Sequence, residues 1–186
     1  MEAQTNRLPG QRATGKRALV KEQNRRVILD AARRVFAQLG YGPTTVRDII
    51  RATPLASGTF YNYFRSKDEV FQAMRDEAAL TLRPLLREAR ANAETAAVFV
   101  SATFEAFFSY VVANRGNPAV ARGDIHVRVD TPEILAGLTE LRADLERAIA
   151  RGIFPPVDPE LLAASMIGTA FEIAEILQRR EAAGAE

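Results

Sequence analysis

Two tyrosines, Tyr61 and Tyr63, stand just behind four small residues, Ala56, Ser57, Gly58 and Thr59. Hydroxyls beside a stretch with almost no side-chain bulk suit one kind of chemistry: close approach to a large anionic surface, with phosphate oxygens in reach of the phenols. The surrounding charge agrees. Residues 1–67 carry thirteen Lys or Arg against four Asp or Glu, a balance of +9, and residues 68–186 carry −7, so the overall +2 hides two parts of opposite sign. Such asymmetry points to one part that meets a polyanion and one that does not. Other chemistries are poorly supplied. The chain has no Cys and a single His, His126. That excludes disulfides, thiolate metal sites and Cys nucleophiles, and neither a metal site nor a cofactor is expected. One His with no nucleophile–base pair and no Gly-rich phosphate loop argues against an enzyme.

The elements that must position these residues are helices. The 186 residues are 47% hydrophobic, enough for a good core. Apolar residues recur at spacings of three and four and strand patterns are nearly absent, so the fold class is all-α, with eight or nine helices and no sheet. Residues 1–20 read as a flexible basic arm, 21–67 as a DNA-binding domain and 68–186 as a second helical domain. The first helix spans about 21–39 and stops at Gly40. Thr45 and Asp48 form a capping box for a short helix over about 46–53. A third helix starts near Ala56–Ser57. Ser66 to Glu69 is a second capping box, and Pro84 is expected to kink or end the helix it opens. Later helices are expected over about 94–114, 132–151 and 158–180, the last two with Pro at the first position. No uncharged apolar run reaches the roughly 18 residues of a membrane span; the longest is Leu161 to Phe171. The polar, basic start carries no secretory signal. A cytoplasmic protein without a membrane partner is expected.

Two short helices joined by a tight turn, behind an amphipathic helix in a basic module, suggest a helix-turn-helix that enters the DNA major groove. Phe60 and Phe64 are expected to face inward and Tyr61 and Tyr63 outward. The stretch Thr44-Thr45-Val46-Arg47-Asp48-Ile49, followed by Ser57 through Asp68, resembles the DNA-binding signature of the TetR family of transcriptional repressors. Ile28 to Ala32, Phe36-Ala37 and Gly40-Tyr41 resemble that family's first helix, so the likeness covers about residues 25–72. It implies a repressor released by a small, largely apolar effector. It implies phosphate contacts from Thr45, Tyr61 and Lys67, with Tyr63 beside them, and base contacts from Arg47, Ser57, Thr59 and, by close approach, Gly58. The sequence departs from the family in the turn, where Pro54, Leu55 and Ala56 replace Gly, a β-branched residue and Ser. Ala56 removes a side-chain cap, and Ser57 is the candidate to replace it.

The resemblance also places an effector pocket among the middle helices. Phe71, Met74, Phe104, Phe107, Phe108 and Tyr110 are the expected lining. Arg122, Asp124, His126 and Arg128 are the candidate polar anchors, and inward-facing arginines there would suit an anionic head group. The last helix is apolar on nearly every face and rich in small residues, so it must bury more than one face. With the Leu-rich helix before it, it reads as half of a two-fold four-helix bundle. Leu138, Leu145, Ala163, Ile167, Ala170, Phe171 and Ala174 are the expected interface of a homodimer, which would present two recognition helices to a palindromic operator in double-stranded DNA. The alternative is a non-inducible DNA-binding or scaffold protein on the same fold, favoured if the second domain holds no cavity.

Overall fold

A computed structural model describes residues 9–115, 117–121 and 132–184. These form eight α-helices, one of them a single turn, and no strand among the described residues. The helices are α1 (Pro9–Leu39), α2 (Val46–Arg51), α3 (Ser57–Tyr61), α4 (Lys67–Ala91), α5 (Ala96–Ala113), α6 (Pro118–Ala121), α7 (Pro132–Ala150) and α8 (Pro159–Gly184). The chain divides into two compact units, residues 1–71 and 72–186.

Local chemistry sets most helix ends. Gly40 takes φ 81 and its N–H donates to the Phe36 carbonyl at 2.9 Å, so α1 stops in the left-handed conformation that Gly tolerates best. Gly152 does the same after α7 with φ 75. There the Gly152 and Ile153 amides donate to the Ile149 and Ala148 carbonyls, both at 2.9 Å, the paired bonds of a Schellman motif. Thr95 caps α5, and the Asp158 carboxylate accepts the Glu160 and Leu161 amides at the start of α8.

Two expectations about helix extent need correction. Residues 9–20, read as an arm, belong to α1, with Pro9 in its first turn, where the missing N–H costs nothing. Helix α4 does not end at Pro84 but runs on to Ala91. The ring removes one hydrogen bond, that to the Leu80 carbonyl. Arg83 and Arg90 on either side are tied to α7, which offsets the loss.

In unit 1, α1 packs on α2 and buries Ile28, Leu29, Ala31, Ala32, Val35 and Phe36. In unit 2, α8 packs against α5, α6 and α7. Its core joins Ala93, Phe99, Leu141, Leu145, Ala148, Phe154, Ala163 and Met166. Helix α5 is long and apolar enough, by length and composition, to cross a membrane. Here it buries Phe99, Thr103 and Val111, and Phe107 meets Phe171 of α8 edge-on at 5.9 Å.

Candidate nucleic-acid interface and effector cavity

The turn between α2 and α3 is built without glycine. The Thr53 hydroxyl donates to the Ile50 carbonyl at 2.8 Å and accepts the Leu55 amide at 3.2 Å, so one side chain holds the corner. No residue of this turn takes a positive φ, and Pro54 therefore fits. Arg34 of α1 adds a bond to the Ala52 carbonyl at 3.3 Å. Helix α3 begins with Ala56 as its N-cap and has no side-chain cap; Ser57, proposed above as a replacement, is the first helical residue instead. Phe60 and Phe64 are buried as expected, with Arg25 lying over the Phe64 ring. Burying each ring contributes roughly 1.5–3 kcal/mol, which is what holds so short a helix in place.

On this anchor the opposite side of α3 stays open. Ser57 and Gly58 are exposed, Thr59 is half-buried, and Tyr61 is 59% exposed at the helix end. A Cβ added at Gly58 would meet nothing within 4 Å, so the fold itself does not require Gly there. Arg47 is exposed on α2. Tyr63 differs from expectation: it is half-buried, and its hydroxyl accepts a bond from Asn24 Nδ2 at 3.3 Å.

Thr45 and Lys67 are both committed within the protein. The capping box is complete: the Thr45 amide and hydroxyl donate to Asp48 Oδ2 at 2.9 and 2.6 Å, and the Asp48 amide donates to the Thr45 hydroxyl at 3.3 Å. These bonds, aided by Arg51 and Arg47, hold the Asp48 carboxyl below its ordinary range. Lys67, expected as a phosphate ligand, is engaged by backbone carbonyls. Its ammonium donates to the carbonyls of Tyr41, Gly42 and Thr44 at 2.9, 2.8 and 2.9 Å and sits over the Tyr41 ring. All three donors of an ammonium are thereby used. Burial, reinforced by a hydrogen bond to Asp68, pushes the Tyr41 phenol up to about 12.

Unit 2 holds a cavity of about 170 Å³, lined mainly by apolar groups of α4, α5, α7 and α8. Of the expected lining, Phe104 and Phe107 are there. Phe71 is not; it belongs to an aromatic cluster of unit 1, 5.6 Å from Phe36 and 4.8 Å from Tyr41. Met74 is wholly buried outside the lining, and Phe108 and Tyr110 also fall outside it. Arg122, Asp124, His126 and Arg128 lie outside the described residues. Leu138, Ile167, Ala170 and Phe171, expected at a dimer interface, line the cavity. Leu145 and Ala163 are consumed by the core, and Ala174 is buried within the chain.

The two arginines that line the cavity are each paired with an acid of α7. Arg83 binds Glu140 through two nitrogens, which holds the Glu140 carboxyl below its usual range. Arg90, 6% exposed, binds Asp144 at 2.7 Å. The spacing of seven between the arginines on α4 and of four between the acids on α7 sets one helix face against the other. That complementarity was present in the sequence and is the signal that could have located this wall.

Residues 28–74 match the family described as bacterial regulatory proteins, tetR family. An uncharacterised HTH-type transcriptional regulator of Haemophilus influenzae is 34% identical over 98 residues, which cover 52% of this chain and 48% of that protein, so the match spans about half the relative's length. The fold resembles that of the fatty acid degradation regulator FadR of Bacillus halodurans, with TM-score 0.73, 24% identity and 85% of each chain covered. It also resembles AibR, solved with isovaleryl coenzyme A and operator DNA, with TM-score 0.62, 18% identity, and 82% of this chain and 86% of that one covered. Residues 28–74 thus carry the helix-turn-helix segment of the bacterial tetR family of regulatory proteins, and the chain as a whole shares an all-helical fold with such regulators.

Proposed function

We propose that this protein is a cytoplasmic, homodimeric transcriptional repressor that reads a palindromic operator through α3 and is released by a small, largely apolar effector held among α4, α5, α7 and α8. The observation that carries the DNA-reading half is the open side of α3. Ser57, Gly58 and Tyr61 are exposed on a helix whose other side is pinned by Phe60 and Phe64. Arg47 is the candidate for a bidentate guanine contact, and Tyr61 for a phosphate contact. The cavity supports the ligand-responsive reading over a non-inducible one. Both of its described arginines are neutralised by partners, so a neutral ligand enters without leaving a buried charge exposed to competition. Effector binding then shifts the population between DNA-competent and incompetent forms.

A gel shift on DNA flanking the protein's own coding sequence tests this. Binding is expected at low salt and falls steeply as salt rises, because neutralised phosphates release counterions. Gly58→Ala is expected to preserve the fold, or stabilise it by up to about 1 kcal/mol, while weakening binding at least tenfold by holding α3 away from the bases. Absence of binding to any such fragment at low salt would overturn the proposal.

A further inference from the structure

A second space in unit 2 has the opposite character from the cavity. It is a cleft of about 260 Å³ lined by Arg87, Arg90, Arg147 and Arg151, with Asp144 as its one acid and Phe99 and Ile153 among its apolar walls. Four guanidinium groups face one carboxylate. Asp144 accepts from Arg90 at 2.7 Å and also from Arg147, so its two oxygens are both taken. Among the described residues, neither Arg87 nor Arg151 has an ion-pair or hydrogen-bond partner for its guanidinium, and both are exposed. Arg87 only adds to the field that lowers the Glu140 carboxyl.

Part of this cluster has a structural use. Arg90 and Arg147 lie in the last turns of α4 and α7, where positive charge complements the helix dipole. Arg151, one residue past the end of α7, shares that use, which accounts for three of the four. It does not account for Arg87, nor for gathering all four around a single acid in one cleft, where like charge is left uncompensated within a unit that is acidic overall. The Arg90–Asp144 pair fixes the floor, since Arg90 is buried and cannot swing away. Arg87, on α4, and Arg151, just past the end of α7, line the same cleft beside it from two different elements.

We propose that this cleft binds a dianionic group of phosphate type carried by a small molecule. Guanidinium groups bind phosphate oxygens in bidentate fashion, and two unpaired forks supply the donors for one such group. Phe99 and Ile153 offer an apolar wall to whatever the phosphate is attached to. The site is separate from α3 and stands whether or not the protein reads DNA. It touches the apolar cavity at one side chain, Arg90, which lines both.

The test uses the full chain with pyrophosphate as probe, followed by calorimetry and thermal shift at constant ionic strength set with chloride. Saturable binding that raises the unfolding midpoint is expected, since a ligand selective for the native state stabilises it. Arg87→Gln combined with Arg151→Gln is expected to weaken that binding at least tenfold while leaving the ligand-free midpoint in place, because both side chains are exposed. Arg47→Ala, on the DNA-reading unit, is expected to leave it unchanged. Three results overturn the proposal: no saturable binding, binding unaffected by the double substitution, or loss with Arg47→Ala alone. A further arm measures duplex DNA. If the double substitution weakens DNA binding as much as it weakens pyrophosphate binding, the cleft is a nucleic-acid contact and the small-molecule assignment fails.

Discussion

Lys67 shows how much of a residue's work can lie outside what its type suggests. A lysine at the start of a helix in a basic module is an apt phosphate ligand, and nothing in its neighbours says otherwise. Its three bonds go to carbonyls more than twenty positions earlier in the chain, in the turn that joins α1 to α2. That contact is tertiary, so local sequence could not reveal it. Lys67→Met is expected to lower unfolding stability by about 1–3 kcal/mol in a urea titration, since it strips the partners from three carbonyls. A lysine serving as a phosphate ligand would instead leave the midpoint in place and reduce the salt slope of DNA binding by about one. Asp48 is the opposite case, legible because its partner is three residues away. Its folded carboxyl titrates below the ordinary value of 3.8, so its bonds to Thr45 favour the folded state at neutral pH. That contribution is lost as pH falls through the lowered value. The stability difference between wild type and Asp48→Asn should therefore be largest at neutral pH and shrink in acid, measured as urea midpoints across the range.

At the scale of elements, the ends of helices were readable and their persistence was not. Gly40, Gly152 and Asp158 act within a few residues, and each does in the structure what its local chemistry predicts. Pro84 was expected by the same local rule to kink or end its helix, and it does not end it. The helix is carried past it by Arg83 and Arg90, whose partners lie on α7 more than fifty residues away. The cavity lining failed for a related reason. Periodicity identifies an apolar face but not which helix it meets, and so Phe104 and Phe107 reach the cavity while Phe108 and Tyr110 do not. The continuing helix implies that Pro84 is tolerated at a cost. Pro84→Ala restores an N–H for the Leu80 carbonyl and is expected to raise unfolding stability by roughly 1–3 kcal/mol, read as a higher thermal midpoint. An unchanged or lower midpoint would mean that the ring itself packs usefully, or that α4 needs a bend there.

For the whole molecule, the proposed dimer raises the question of which face would join two copies. The sequence marks α8 as apolar on nearly every face, but its periodicity does not separate the side packed in its own core from the side left outside. The structure separates the residues of α8 buried in the chain's own core from those left exposed. Leu145, Ala163 and Met166 are spent inside. Left outside on α8 are Leu161, Ala164, Ser165, Gly168 and Phe171, with Leu161 68% exposed. They recur at three and four, so they form one stripe, and a Cβ added at Gly168 meets nothing within 4 Å. A stripe of small residues framed by Leu161 and Phe171 lets a second helix approach closely, as a two-fold bundle requires. Leu161→Glu with Gly168→Glu should therefore leave the fold of each chain intact and abolish the dimer in sedimentation. If two recognition helices act together on one operator, that loss also weakens DNA binding by roughly a hundredfold or more, because the second half-site contact no longer comes intramolecularly. A dimer that survives both charges would move the interface to another exposed apolar face. Helix α5, with Val98 and Val112 about half exposed, is the next place to introduce charge.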